Sequence, residues 1–410
     1  MSNQLKADII VVGAGLVGLS AAISLTLTHK KVVLVESQLI GKNHTTIEKN
    51  TQKNISEDIK KVVLYDWDTR VYALTPGSIA WLESIGAWAF VDKSRLGAIN
   101  QMQLWANESL EPLMLKDSDA HLTQLGLVIE NANLMQALWQ QIKSLDVTII
   151  DHENLYKLDY SKPNKITLLL NNAATITANV LVAADGVNSW VRAQTEVGVI
   201  IKPYNQTAIV ANFLAECSHQ NIANQWFKNH DTLALLPLPD RVVSVVWSVS
   251  NAEAQQLLNL NPQELADALY EHSKGILGRL TPLGLTHSFS LNQQTASHLI
   301  ANRIVFVGDS AHQIHPMAGQ GVNLGFRDVM QLQQLITKVH AMQDIGEHSF
   351  LRRYERNRRA DIAAINTLTS GLDWLFSRDY GTLNASIIWG FAQINKQSTL
   401  KKLLIKAATA

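Results

Sequence analysis

Residues 8–20 read DIIVVGAGLVGLS. The run 8–12 is a short apolar stretch of the kind that fills a buried parallel strand. Gly13, Gly15 and Gly18 follow at G-x-G-x-x-G spacing. Residues 16–28 then read as a helix rich in small side chains, and a second apolar run, 31–35, ends at Glu36. Strand, turn, helix and strand make a βαβ unit. Each glycine has a separate reason. Gly13 makes the tight turn, Gly15 lets the backbone approach a pyrophosphate, and Gly18 lets helix and strand touch. The helix N-terminus offers N–H groups and a positive dipole to phosphates. Glu36 is positioned to accept hydrogen bonds from a ribose. Hydropathy alone would allow a signal-peptide core or a short membrane span over 9–27. Asp8 and the glycines speak against both.

The chain has 410 residues, enough for two or three structural units. Lys+Arg and Asp+Glu both number 35, so there is none of the basic excess expected of a nucleic-acid binder. Zero net charge and 47% hydrophobic residues exclude a disordered chain. The single cysteine, Cys217, rules out an intrachain disulfide framework and any zinc site built on several cysteines. It fits a reducing, cytoplasmic setting.

Beyond the βαβ unit, residues 41–61 are polar and read as an exposed loop. Residues 81–91 and 134–142 have helical periodicity, and 165–170 and 180–184 read as strands. The stretch 205–250 is β-rich, notably at 233–237 and 242–249. A helix is expected over 262–277, a buried strand over 303–307 and a helix over 322–339. From 350 onward the chain reads as helical, with Arg352, Arg353, Arg356, Arg358 and Arg359 clustered. The fold class implied is α/β. A discontinuous Rossmann-like domain (1–75, 95–190 and 285–345) would hold a dinucleotide. A β-rich substrate domain (76–94 and 191–284) would be inserted in it, and 346–410 would form a helical tail.

Two further segments carry chemistry. Residues 182–189, VAADGVNS, followed by Arg192, place Asp185 and Gly186 at the end of a buried strand. Residues 308–312, GDSAH, run on as QIHPMAGQGVNLGFRD to Asp328. Asp309 is positioned for a sugar or ribityl hydroxyl. Gly319, Gln320 and Gly321 open a helix whose N–H groups can face an electron-rich ring edge. His312 and His315 invite a metal reading, but no carboxylate–histidine cage accompanies them. Both are read first as packing or backbone residues, with proximity to substrate or flavin as the alternative, and no metal is expected.

Together these segments resemble the FAD-dependent aromatic-ring hydroxylases of the p-hydroxybenzoate hydroxylase type. The ubiquinone-biosynthesis hydroxylases are the nearer match. The bearing runs are DTRVYAL (68–74), VIEN (128–131), LLPL (235–238), SFSL (288–291) and, above all, HPMAGQGVNLG (315–325) with Arg327 and Asp328. The resemblance implies FAD held at its adenosine half by Gly13, Gly15, Gly18 and Glu36. It implies Arg70 near the flavin and its phosphates, and Asn131 as a polar FAD contact. Asp185 would serve FAD and nicotinamide binding, and Asp309 the ribityl or pyrophosphate region. Gly319, Gln320, Gly321 and Asn323 would wrap the flavin ring, with His315 and Pro316 at the flavin–substrate boundary. The implied reaction passes through a flavin C4a-hydroperoxide, with O2 and NAD(P)H consumed, and hydroxylates a polyprenylated phenol of ubiquinone biosynthesis. The cofactor carries the hard chemistry, so no side-chain nucleophile is expected. A small soluble phenol as substrate, or a silent FAD-binding scaffold in a biosynthetic complex, stand as alternatives. The segment Trp-x-Trp-x-Ile-Pro, expected of a flavin halogenase, is absent.

Two features bear on partners. The arginines of 352–359 suit a solvated helix face or anionic lipid. The tail sets Leu400, Leu403 and Leu404 beside Lys401, Lys402 and Lys406, as a helix lying on a membrane does. Peripheral contact at the inner face of the membrane and attachment to a ubiquinone-biosynthesis protein complex are both consistent with these residues. Trp226 and Trp247 fall in the β-rich middle and are read mainly as packing, with a substrate-pocket wall as the alternative.

Overall fold

The computed structural model describes residues 4–38, 67–106, 111–228, 231–313, 320–340, 342–376 and 390–409. The 41–61 loop, His315, Pro316 and Gly319 lie outside the described residues.

A six-stranded sheet forms around the βαβ unit. Its order is Ile300–Ala301, Ile304–Phe306, Val180–Ala183, Ile9–Val12, Val32–Val35, Val147–Ile150. All its pairings are parallel except the first, which is a hairpin. Ile9–Val12, Val32–Val35 and Val180–Ala183 are buried along their whole length, which is why their sequences run as unbroken aliphatics rather than alternating. The helix Leu16–Thr26 covers one face through Leu19, Ile23 and Leu25. Asn131–Lys143 and Gln320–Thr337 pack against that same helix.

The second unit is an eight-stranded sheet. Its order is His312–Gln313, Leu280–Ala296, Val199–Ala215, Val242–Ser250, Asp231–Pro237, Ile222–Lys228, Gln101–Ala106, Leu113–Lys116. Its alternation sorts the two faces. Ile209, Ala211, Phe213, Leu233, Leu235, Val243, Val245 and Trp247 share a core with Leu257, Leu265 and Leu269 of the helices Asn251–Leu258 and Pro262–His272. The residues between them point the other way, toward the nucleotide-type unit. Trp226 and Trp247 both belong to the helix-covered core, and Trp226 stacks on Trp105 at 6.2 Å. Neither tryptophan is a wall of the substrate pocket.

A three-stranded sheet, Val71–Leu74, Gly126–Glu130, Gly97–Ile99, joins the two units. A four-stranded sheet, Gln4–Lys6, Thr175–Ala178, Ile166–Leu170, Leu155–Asp159, flanks the parallel one.

Several boundaries differ from the sequence reading. The helix expected over 81–91 is Pro76–Ser84, capped by Thr75, whose side chain accepts from the Ser78 N–H. Gly86 then takes φ +81° and starts a separate 3-10 turn, Ala87–Phe90. The helix expected to reach 277 stops at His272, ahead of Gly275 at φ +62°. The domain limits also shift. Gln101–Ala106 and Leu113–Lys116, expected in the cofactor domain, form an edge of the eight-stranded sheet, because 101–106 finds a parallel partner in Ile222–Lys228. Ile79, Trp81 and Leu82, expected in the substrate domain, pack in the core of the nucleotide-type unit. Leu280–Ala296 runs straight through the expected limit at 285.

One half-buried carboxyl sets a pH dependence. Asp231 is pushed up to about 7, first by burial and then by Glu253. Such a group stabilises the fold fully below its unfolded value of 3.8. That contribution is lost as pH rises through about 7. Asp231→Asn is therefore expected to flatten the fall in melting temperature between pH 5 and 8. An unchanged slope would remove this carboxyl from the account.

Candidate cofactor and substrate site

The glycine turn is built as its spacing requires. Gly13 sits at φ +99°, and a Cβ there would strike the Ala184 carbonyl. A Cβ on Gly18 would collide with the Gly13 carbonyl. At Gly15 nothing stands within 4 Å of where a Cβ would be. Gly15 is also the cap residue of the first helix, with no side-chain cap. The helix therefore begins with N–H groups facing open space, as a phosphate site demands. Glu36 closes the turn. Its Oε2 accepts from the Ala14 N–H at 2.7 Å and its Oε1 from the Gln38 N–H at 3.0 Å.

Gly15 opens into a cavity of about 1060 Å³, at the top of the range of roughly 300–1,000 Å³ usual for small-molecule sites. Arg70, Asn131, Asp309 and Gly321 line it on the nucleotide side. Val71–Leu74 pairs antiparallel with Gly126–Glu130, and this register delivers Arg70 beside Asn131. The Asn131 N–H donates to the Arg70 carbonyl at 2.8 Å. Tyr72 lies in the same wall. Burial pushes its hydroxyl up to about 12, so it stays protonated, and it donates to Asn131 Oδ1 at 3.4 Å.

Asp309 follows Gly308, which takes φ +60°. Burial raises the Asp309 carboxyl, while His312 and Arg70 pull it down. Behind this turn stands Asp328, which is 0% exposed. Its Oδ2 accepts from the Gly308 N–H at 2.8 Å and pairs with His312 Nε2 at 2.6 Å. Its Oδ1 accepts from Arg358 Nε at 2.7 Å. Burial alone would raise Asp328; His312, Arg358 and the Gly308 N–H together hold it below the usual carboxylate range. The Asp309 turn is thus anchored from below to the helices Gln320–Thr337 and His348–Phe376.

Other expected residues serve the frame. Asn323 is buried; its Oδ1 accepts from the Thr75 N–H at 3.0 Å and its Nδ2 donates to the Ala73 carbonyl at 2.8 Å. Its side chain holds the Arg70-bearing strand to the helix rather than lining the cavity. Asp185 Oδ2 accepts from the Val191 N–H at 2.9 Å. Its Oδ1 is buried with no partner among the described residues, next to Gly186 in the cavity wall. Sequence reading missed Arg192 as a clamp. Its guanidinium donates to the carbonyls of Ser310 and Val187, tying the two Asp-bearing motifs together. Sequence reading placed Arg358 on a solvated or lipid-facing helix face, whereas Arg358 is buried against Asp328, a residue it named only as part of a motif. Their pairing across the fold leaves no local signal.

The open space at Gly15, the uncapped helix start and the Asp309 carboxyl in the cavity wall fit FAD. A match to the family described as FAD binding domain covers residues 95–369. The ubiquinone biosynthesis monooxygenase COQ6 of Drosophila melanogaster is 30% identical over 98% of this chain and 89% of its own length. The chain belongs to the FAD-dependent ubiquinone-biosynthesis hydroxylase family. The 3-demethoxyubiquinol 3-hydroxylase of Escherichia coli K12 is 28% identical over 100% of this chain and 99% of its own. Solved structures share the fold. The p-nitrophenol 4-monooxygenase PnpA of Pseudomonas putida superposes with TM-score 0.76 at 16% identity, covering 100% of this chain and 99% of that one. HpxO of Klebsiella pneumoniae, in complex with FAD and uric acid, gives 0.71 at 15%, covering 98% and 96%.

In this FAD-dependent monooxygenase the flavin, when bound, supplies electron transfer and oxygen activation. The chain's own residues would bind it and orient the ring to be oxidised. Asp309→Ala is expected to weaken FAD binding by about ten-fold or more, as loss of an acceptor facing the cofactor would. The melting curve of the apoprotein should stay cooperative. Normal flavin content in the purified variant would remove Asp309 from the cofactor site.

Proposed function

We propose that the chain hydroxylates the aromatic ring of a polyprenylated phenol or benzoquinol intermediate of ubiquinone biosynthesis, using O2 and electrons from NAD(P)H. One observation carries this reading. The cavity that Gly15 lines is lined as well by the apolar inner face of the eight-stranded sheet and by Ile405 of the C-terminal helix. One cavity thus offers a nucleotide side for a cofactor and an apolar side for a long substrate. The test is a quinone profile by mass spectrometry of cells lacking the protein. A prenylated precursor missing one hydroxyl is the expected result. An unchanged quinone pool would contradict the reading and favour a small soluble phenol.

The substrate class calls for a lipid source. Among the described residues no helix is long and apolar enough to cross a membrane. The helix Ser398–Thr409 instead turns Leu400, Leu403 and Leu404 outward, Leu403 at 59% exposure. Lys401 pairs inward with Asp119 at 3.7 Å, and Lys406 is exposed. Upstream, Asn395 fixes the segment by accepting from the Met114 N–H and donating to the Pro112 carbonyl. A pinned helix with leucines outside and lysines beside them suits an anionic membrane surface at the cytoplasmic face, and equally a subunit of a biosynthetic complex. Liposome flotation with anionic vesicles should carry the protein, and a Leu400/Leu403/Leu404→Ser variant should stay behind. A wild-type protein left wholly unbound would rule out the lipid surface.

A further inference from the structure

The inner face of the eight-stranded sheet is apolar along most of its cavity wall, with Val210, Ala223, Ala234, Leu236 and Val246. Polar side chains interrupt it, among them Gln225, Thr232 and Ser248 on three adjacent strands. Thr232 and Ser248 sit directly opposite each other on the antiparallel strands Asp231–Pro237 and Val242–Ser250. Gln225, on Ile222–Lys228, pairs with Ala234, two residues along the same face from Thr232. Their orientation follows from alternation. Trp226, Leu233, Leu235 and Trp247, their chain neighbours, belong to the helix-covered core, so Gln225, Thr232 and Ser248 point into the cavity that they line.

All three are buried from outside solvent, at 5%, 7% and 2% exposure respectively. No side chain or backbone group among the described residues takes up their polar atoms. Nor are those atoms sealed into the protein, as the orphan oxygens of Asn224 and Ser244 nearby are. A carboxamide and two hydroxyls left open to a cavity are costly unless a ligand pairs with them. Together they offer two N–H donors, two O–H donors and several acceptor lone pairs. Arg70, Tyr72 and Asp309 line the same cavity.

From this geometry we infer a polar subsite, Gln225–Thr232–Ser248, that hydrogen-bonds an oxygen substituent of the aromatic ring. It is a specificity device. By fixing one ring oxygen on the sheet wall it fixes which ring carbon faces the nucleotide side, while the apolar wall around it takes hydrocarbon. The inference rests on the phenol reading above. It adds the residues that hold the ring.

The test compares two ligands that differ only in that oxygen, 2-geranylphenol and geranylbenzene. Each is titrated against the oxidised, FAD-loaded protein by equilibrium dialysis. A site built to pair with a hydroxyl rejects the analogue that lacks it, so the wild type should bind the phenol tighter by about ten-fold or more. Gln225→Leu, and separately the double variant Thr232→Val with Ser248→Ala, should shrink that preference to roughly two-fold or less. Affinity for geranylbenzene should be unchanged or improved, and flavin content should match the wild type. A merely structural role would weaken both ligands alike. If both variants keep the full preference, the subsite is wrong while the phenol reading stands. If the wild type binds neither ligand, or does not distinguish them, the phenol reading and the subsite fall together.

Discussion

Gly15→Val leaves the fold standing and removes the cofactor. No atom lies within 4 Å of the position a Cβ would take at Gly15, and its φ of −70° is open to any residue. The two branches of valine therefore enter space rather than protein. That space is where the first turn of the helix offers its uncapped N–H groups, so the side chain would stand where a pyrophosphate must come close. Flavin occupancy should fall by about ten-fold or more, with the apoprotein melting as the wild-type apoprotein does. Gly18→Val is the contrasting case. Its Cβ would collide with the Gly13 carbonyl, so helix and turn must separate and stability is lost with the cofactor. A fully yellow Gly15→Val protein would refute the assignment of this turn.

Asp328→Ala is the largest stability change expected away from the cofactor. The carboxylate is fully buried between the His312 imidazole and the Arg358 guanidinium. Removing one member of a buried pair costs about 3–5 kcal/mol, because the other is left uncompensated. Denaturant unfolding at pH 7 should show a loss of that order. The loss should depend on pH. A carboxyl held below its unfolded value stabilises the fold above that value, and the contribution disappears as pH falls through the folded one. Wild type and variant should therefore converge in acid. Because Asp328 also accepts from the Gly308 N–H, the Asp309 turn loosens and FAD affinity falls as well. Arg358→Met should reproduce part of the effect. The double variant should cost less than the two singles added, since both break one network. Strict additivity would show that they do not share it.

Much of this was legible in the sequence because the signals are local. Unbroken aliphatic runs mark Ile9–Val12, Val32–Val35 and Val180–Ala183 as strands buried on both faces, and the glycine spacing explains how the first turns into a helix. Gly15, Arg70, Asn131 and Asp309 all line one cavity, as the motifs that contain them suggest. What was not legible depends on partners far along the chain. The strand Gln101–Ala106 looks like any short apolar run, and only its pairing with Ile222–Lys228 assigns it to the second sheet. Asn323 lies inside the most specific motif, yet its amide serves Ala73 and Thr75, some 250 residues away. The tryptophans of the β-rich middle point away from the cavity. Alternation fixes that direction only once the covered face is known, and the smaller Gln225, Thr232 and Ser248 turn inward instead.

The most direct test supplies the purified, FAD-loaded protein with a prenylated phenol, NAD(P)H and isotopically labelled O2. The account predicts a ring-hydroxylated product carrying one labelled oxygen, formed in step with pyridine nucleotide oxidation. Oxidation of the nucleotide that yields only hydrogen peroxide, whichever prenylated phenol is supplied, would contradict it.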